Sequence, residues 1–166
     1  KFKTPSGKFE FSSEAVGAAG LNPVIGWIPR KVTPKDGEFA IVGGKQGIHS
    51  HTMTQNIACL NAISREYHME RLWISAQDAE DLGVQTGDTV EVASSEHVGQ
   101  VEARVTQRLK PGVVFLPTHY GGDSPAQTRA YRYGIALTDF IPFDMEPGVG
   151  SMMSQEVAVT VKKVEA

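Results

Sequence analysis

The chain has 166 residues, with 19 acidic and 16 basic side chains and a formal charge of −3, a balance that excludes a polycationic nucleic-acid surface. Its length suits one ordinary domain with a real core, and no apolar run is long enough to cross a bilayer as a helix. The single cysteine, Cys59, forms no internal disulfide and by itself holds neither zinc nor an iron–sulfur cluster.

Residues 1–35 carry Pro5, Pro23, Pro29 and Pro34 together with Gly7, Gly17, Gly20 and Gly26 and show no sustained period. They read as an N-terminal arm or linker, with Phe2, Phe9 and Phe11 able to form a short strand around the Pro5-Ser-Gly7 turn. The first residue is Lys1, and the expectation is a domain cut from a longer chain. The remainder, 36–166, reads as one barrel domain. Phe39-Ala-Ile-Val42 is a buried strand expected to end at Gly43-Gly44.

The run from Gly43 to Asn56 is the candidate site. Paired glycines at a strand end let a backbone approach another group closely. Thr52-Met-Thr-Gln55 has capping-box spacing, so a helix is expected to start here with Met53, Ile57 and Leu60 on its apolar face. Unpaired N–H groups at such a start favour phosphate, and Thr52, Thr54, Gln55 and Asn56 offer the mixed donors and acceptors that a heterocycle edge needs. By pattern alone, an ordinary glycine turn followed by a capped helix is the commoner explanation. His49 and His51 alternate, but two histidines without a third ligand make a poor metal site, so no metal is assigned. His68 and His97 lie in polar connections and read as surface residues.

Leu72-Trp73-Ile74 reads as a buried strand with Trp73 in the core. Ser75-Ala-Gln-Asp78 has capping-box spacing and opens a short helix over 75–82, stopped by Gly83. Thr89–Val92 and Val101–Thr106 alternate as half-buried strands joined by a polar connection, Ser94 to Gln100. After the Lys110-Pro-Gly112 turn, Val113–Leu116 reads as a strand buried on both faces. It opens onto His119, Gly121 and Gly122, a strand-end position where binding groups are frequent. Residues 123–150 show little period and read as a functional cover or a disordered stretch. Glu156–Val161 alternates and returns the chain to the barrel. The fold is expected to be mostly β with short helices.

Residues 72–94, LWISAQDAEDLGVQTGDTVEVAS, and 99–122, GQVEARVTQRLKPGVVFLPTHYGG, closely resemble the C-terminal domain of molybdopterin-dinucleotide oxidoreductases of the dimethyl-sulfoxide-reductase type. The resemblance implies a double-psi β-barrel that hydrogen-bonds bis(molybdopterin guanine dinucleotide) carrying molybdenum or tungsten. It also turns the Gly43–Asn56 run into the pterin contact, because family members carry a similar glycine followed by a His-rich HTxT run. The implied cofactor-binding residues are Gly43, Gly44, Lys45, His49, His51, Thr52, Thr54, Gln55, Asn56, His119 and Gly121, with no catalytic residue and no metal ligand in this chain. In relatives an Asn precedes the Leu-Thr pair; here Leu137-Thr138 is present without it.

The leader FKTPSGKFEFSSE is similar to the family segment that packs on neighbouring domains. HSHTMTQN and EPGVGSMMSQEVAVTVKKV look most like the thiosulfate, polysulfide and arsenate reductase branch. That branch implies a periplasmic parent enzyme working with an iron–sulfur subunit and a membrane anchor, and an isolated domain without activity. Two alternatives stand beside it: a double-psi barrel that recruits proteins, as in the N-terminal domains of some AAA ATPases, and a stand-alone molybdopterin-binding subunit of the kind found in formylmethanofuran dehydrogenases.

Overall fold

The computed structural model describes residues 1–166 apart from Ile25, Thr52, Val149 and Ala166. The chain divides into two compact units, one of residues 1–31 with 143–153 and one of residues 32–142 with 154–166. The smaller unit contains α1, Glu14–Ala18, whose N-cap Ser13 accepts from the Val16 amide. A Ser12–Val24 bridge and the Lys31–Asp144 ion pair at 2.8 Å add to this unit. The short strand that Phe2, Phe9 and Phe11 could form around the Pro5-Ser-Gly7 turn is not present. The chain makes only a turn there, closed by the Gly7 amide on Thr4 O, and Phe2, Phe9 and Phe11 stack edge to face while remaining exposed.

The larger unit is a closed six-stranded double-psi β-barrel. Its strands are β1 (Glu38–Gly44), β2 (Leu72–Ser75), β3 (Thr89–Ala93), β4 (Val98–Thr106), β5 (Val113–Pro117) and β6 (Ala158–Lys163). Around the barrel they run β1-β5-β2-β4-β3-β6. Antiparallel β2/β5 lies between two parallel pairs, β1/β5 and β2/β4. A parallel pair needs a crossover, so each psi loop leaves the sheet before its partner strand re-enters.

Period-two alternation fills the interior: Ile41, Leu72, Ile74, Val90, Val92, Val114, Leu116 and Val159 are all essentially inaccessible. The alternation also corrects two expectations. β5 is buried on one face only, since Val113 and Phe115 are half-buried. Trp73 lies outside the interior cluster, with its ring 5.2 Å from Phe115 and the Arg104 guanidinium 4.7 Å above it. Register explains this, because Phe115 and Arg104 are the cross-strand partners of Trp73.

The Ser75 cap forms as its spacing predicts. Ser75 Oγ accepts from the Asp78 amide and opens α3, Ala76–Asp81, with Gly83 at φ +64° beyond its end. Three boundaries differ from expectation. β1 continues through Gly43-Gly44, which pair with Leu116 and Pro117. β4 begins at Val98, so the last part of the expected polar connection, Val98 to Gln100, is strand. The helix after the candidate run is α2, Ala58–Glu66, and its cap residue Ile57 makes no side-chain cap bond. Its buried residues are polar, Asn61 and Ser64, while Met53 and Ile57 are exposed. Residues 137–142 are no loose cover: Leu137–Phe140 is a 3-10 turn, and Leu137 and Phe140 belong to the core cluster.

Candidate functional site

The site follows from strand direction. Because β1 and β5 are parallel neighbours, their C-terminal ends emerge side by side, Gly44 opposite Pro117. Thr118 extends the pairing by one residue, donating to Gly44 O from its amide (2.9 Å) and its hydroxyl (3.1 Å). The segments Lys45–Asn56 and Thr118–Gly122 are thereby held together at one end of the barrel. Between them and the 3-10 turn lies a cavity of about 450 Å³, lined by Gln55, His119, Tyr120, Gln127 and Thr138 among others.

Two lining groups are unpaired. Gln55 is 4% exposed, and its Nε2, like His119 Nε2, is buried without a hydrogen-bond partner among the described residues. A buried polar atom left unpaired costs about 1–3 kcal/mol, so two in one cavity mark a place built to meet acceptors. His119 is held at φ +82°, in the left-handed region that costs a non-glycine residue energy. Burial lowers its pKa, helped by the nearby charges of His51, Lys45 and His49. The ring is therefore neutral at neutral pH, presenting one donor and one acceptor. Lys45 Nζ donates to His51 Nε2 at 3.5 Å, and the His51 ring lies 6.2 Å from that of His119. No carboxylate lines the cavity among the described residues, so this cluster favours an anionic or acceptor-rich partner.

The other sequence-selected residues serve the surroundings. The alternating His49 and His51 part company: His49 is buried in a turn, bonded to Ser64 Oγ at 2.6 Å and Thr54 Oγ1 at 3.2 Å, whereas His51 is exposed at φ +51°. Thr54 Oγ1 also accepts from the Ser50 amide, so it closes the turn rather than capping a helix. Thr52 lies outside the described residues. Asn56 Oδ1 accepts from the amides of Arg129 and Ala130, tying the later loop to the site.

The glycines answer to protein neighbours. A Cβ on Gly43 would sit 2.0 Å from Leu137 Cδ2, on Gly44 2.9 Å from Phe115 Cε2, and on Gly121 2.2 Å from the Ala136 amide nitrogen. Sequence reasoning missed Tyr120, Gln127 and Thr138. The matching Leu137-Thr138 pair was the available signal, and it does reach the cavity.

Elsewhere, His97 is half-buried with its ring 5.0 Å from Phe140, which corrects its reading as a plain surface residue. Exposed His68 lies within 4.8 Å of carboxylate oxygens of Glu70 and Glu102. Both carboxylates already have partners, since Arg71 donates twice to Glu102 Oε2 and Tyr133 donates to Glu70 Oε2.

Comparison with known proteins agrees with this architecture. Residues 39–151 match the family described as the molydopterin dinucleotide binding domain. The thiosulfate reductase molybdopterin-containing subunit of Salmonella typhimurium is 27% identical over 156 residues, which is 92% of this chain but 20% of that protein. A dimethyl sulfoxide reductase of Escherichia coli is 27% identical over 128 residues, 68% of this chain and 15% of its own. The chain thus spans a fifth or less of the length of these relatives. Among solved structures, acetylene hydratase from Pelobacter acetylenicus superposes with a TM-score of 0.79 at 15% identity, over 97% of this chain and 24% of that one. The chain belongs to the molybdopterin dinucleotide-binding domain family of the dimethyl-sulfoxide-reductase type, whose cofactor in the parent enzyme is molybdopterin guanine dinucleotide with molybdenum.

Proposed function

We propose that the cavity at the ends of β1 and β5 holds the molybdopterin dinucleotide, with Gln55 and His119 as its main hydrogen-bonding contacts. The observation that carries this reading is the pair of buried nitrogens, Gln55 Nε2 and His119 Nε2, unpaired among the described residues, in one cavity where none of these supplies a carboxylate. Thr138 and Gln127 add polar groups around the same space, while the Lys45 ammonium, donating to His51, places positive charge nearby. These residues fit an acceptor-rich, anionic heterocycle. Gly43, Gly44, Gly121 and Asn56 contribute by shaping the walls, and His49 and Thr54 by fixing the turn that carries Gln55. When bound, the cofactor supplies the redox chemistry of its metal; the protein groups bind it, orient it and exclude water from it.

At the level of the whole enzyme, the reading is an oxidoreductase subunit in which residues 1–35 lead from a preceding domain into the barrel at 36–166. A thiosulfate- or polysulfide-like inorganic substrate is favoured because the relative aligned over 92% of the chain is a thiosulfate reductase. On the same basis the proposed parent carries bis(molybdopterin guanine dinucleotide), resides in the periplasm and works with an iron–sulfur subunit and a membrane anchor. The barrel itself does not determine the reaction, as the likeness to a hydratase illustrates.

The test is made in the full-length subunit. Gln55→Ala and His119→Ala should each lower molybdenum and guanine nucleotide per mole of folded protein, and the double variant should lower them further. Full cofactor content in the folded double variant would refute the site.

A further inference from the structure

The two unpaired nitrogens sit on segments far apart in sequence, and one buried residue joins both. Ser64, on the inner face of α2, is 0% exposed. Its hydroxyl lies 2.6 Å from His49 Nε2 and 3.1 Å from the Tyr120 hydroxyl, and its carbonyl lies 3.1 Å from the Tyr133 hydroxyl, whose hydrogen is shared with Glu70. His49 begins the turn that Thr54 closes, and Gln55 follows immediately. Tyr120 follows His119. The His49, Tyr120 and Tyr133 rings pack edge to face in series, with centroids 5.9 and 5.6 Å apart. We infer that Ser64 is a positioning residue for the cofactor cavity, a single hydroxyl that sets the spacing between Gln55 and His119. This role rests on the cavity being the cofactor site.

Proton accounting gives the hub a direction. A serine hydroxyl has one hydrogen and can accept two. Tyr120 is 4% exposed and its hydroxyl has Ser64 as its hydrogen-bond partner among the described residues. A buried hydroxyl hydrogen needs an acceptor, so Tyr120 donates to Ser64. Ser64 in turn donates to His49 Nε2, and His49 donates from Nδ1 to Thr54 Oγ1. Burial lowers the His49 pKa, consistent with a neutral ring that accepts at one nitrogen and donates at the other. The opposite order leaves the Tyr120 hydrogen without a protein acceptor among the described residues. The half-buried Thr54 hydroxyl is left to donate outward, where water can receive it.

Three measurements test this. Nitrogen-15 NMR of the unsubstituted 166-residue chain should show His49 as the neutral Nδ1–H tautomer near pH 7; an Nε2–H tautomer overturns the hub's direction. In the full-length subunit, Ser64→Ala should lower molybdenum and guanine nucleotide per folded protein about fivefold or more, the consequence of leaving buried partners unpaired. Ser64→Thr, which keeps the hydroxyl, should restore much of it. Ser75→Ala, another buried serine at the far end of the barrel, should lower the melting temperature without lowering cofactor content. If Ser64→Ala retains full cofactor while Gln55→Ala and His119→Ala lose it, the hub is overturned and the site stands. If all three retain it, the site itself is wrong and the hub's role falls with it.

Discussion

The two ends of the barrel obey different rules. At the end where β2 meets α3, the cap and turn groups find their partners within the fold. Ser75 Oγ accepts from the Asp78 amide and donates to Asp78 Oδ2 at 2.7 Å, and Asp78 Oδ2 also accepts from the Gly112 amide at 3.0 Å. The left-handed positions there, Gly83 and Gly112, are glycines with open space around them. At the opposite end, where β1 and β5 finish, histidines occupy left-handed positions at 51 and 119, and two buried nitrogens have no partner. One end is a consistent solution to folding; the other carries strain and unpaired polarity. Departures of this kind concentrate where a fold is shaped for a ligand.

Glycine substitutions break that comparison most severely. Gly121→Ala should destabilise the domain by roughly 3 kcal/mol or more, combining a φ of +76° with a backbone clash at Ala136 that nothing flexible can relieve. Gly83→Ala, at φ +64° with open space, should cost only about 1 kcal/mol. Urea unfolding of the two variants measures the difference, and equal losses would show that the close approach at Gly121 is soft. Next in size is Ser75→Ala, expected to cost about 0.5–2 kcal/mol through loss of the helix cap while leaving cofactor content unchanged. A smaller effect is expected from acid. His49 and His119 have folded pKa values below the ordinary 6.5, chiefly through burial. The unfolded chain therefore binds more protons as pH falls through 6.5, so this contribution is complete above that pH and lost below it. Melting temperatures at pH 7.5 and 5.5 check the sign, and His49→Gln with His119→Gln should flatten the profile. The smallest change in stability is the most informative. Replacing the unpaired groups by apolar ones, Gln55→Leu with His119→Leu, should leave the cofactor-free domain about as stable or slightly more so, while cofactor content falls. A loss of several kcal/mol would mean that these groups already serve the fold.

Where structure is made by near neighbours, it was legible. Thr89–Val92, Val101–Thr106 and Val113–Leu116 announce themselves by alternation or continuous apolarity, and Ser75-Asp78-Gly83 marks α3 by cap chemistry. What stayed hidden depends on distant partners. Gly99 reads as loop, yet it is strand, paired with Val92, and it is glycine where Phe140 and Ile135 crowd the space a Cβ would fill. Gly43 and Gly44 read as a strand end, yet the strand continues by pairing with β5, and Leu137 and Phe115 occupy the room side chains would need. α2 has no apolar inner face to detect, since its buried Asn61 and Ser64 bind partners far along the chain, Arg129 and Tyr120 among them. At the site, strand-end position and the family resemblance brought Gln55 and His119 forward. Thr138 and Gln127 come from a stretch without period, and only folding brings them to the cavity.

The parallel β1/β5 seam has a thermodynamic consequence. Ala40–Gly44 pairs with Val113–Pro117 across a long stretch of chain, so the cavity at its end exists only once the barrel has closed. A molecule bound there has no comparable site on the open chain. Its binding energy then becomes closure energy for the whole barrel: at a concentration of 100 times its dissociation constant, it would add about 2.7 kcal/mol. The cofactor would act as a clasp, and the strained, unpaired end would become tightly secured on loading.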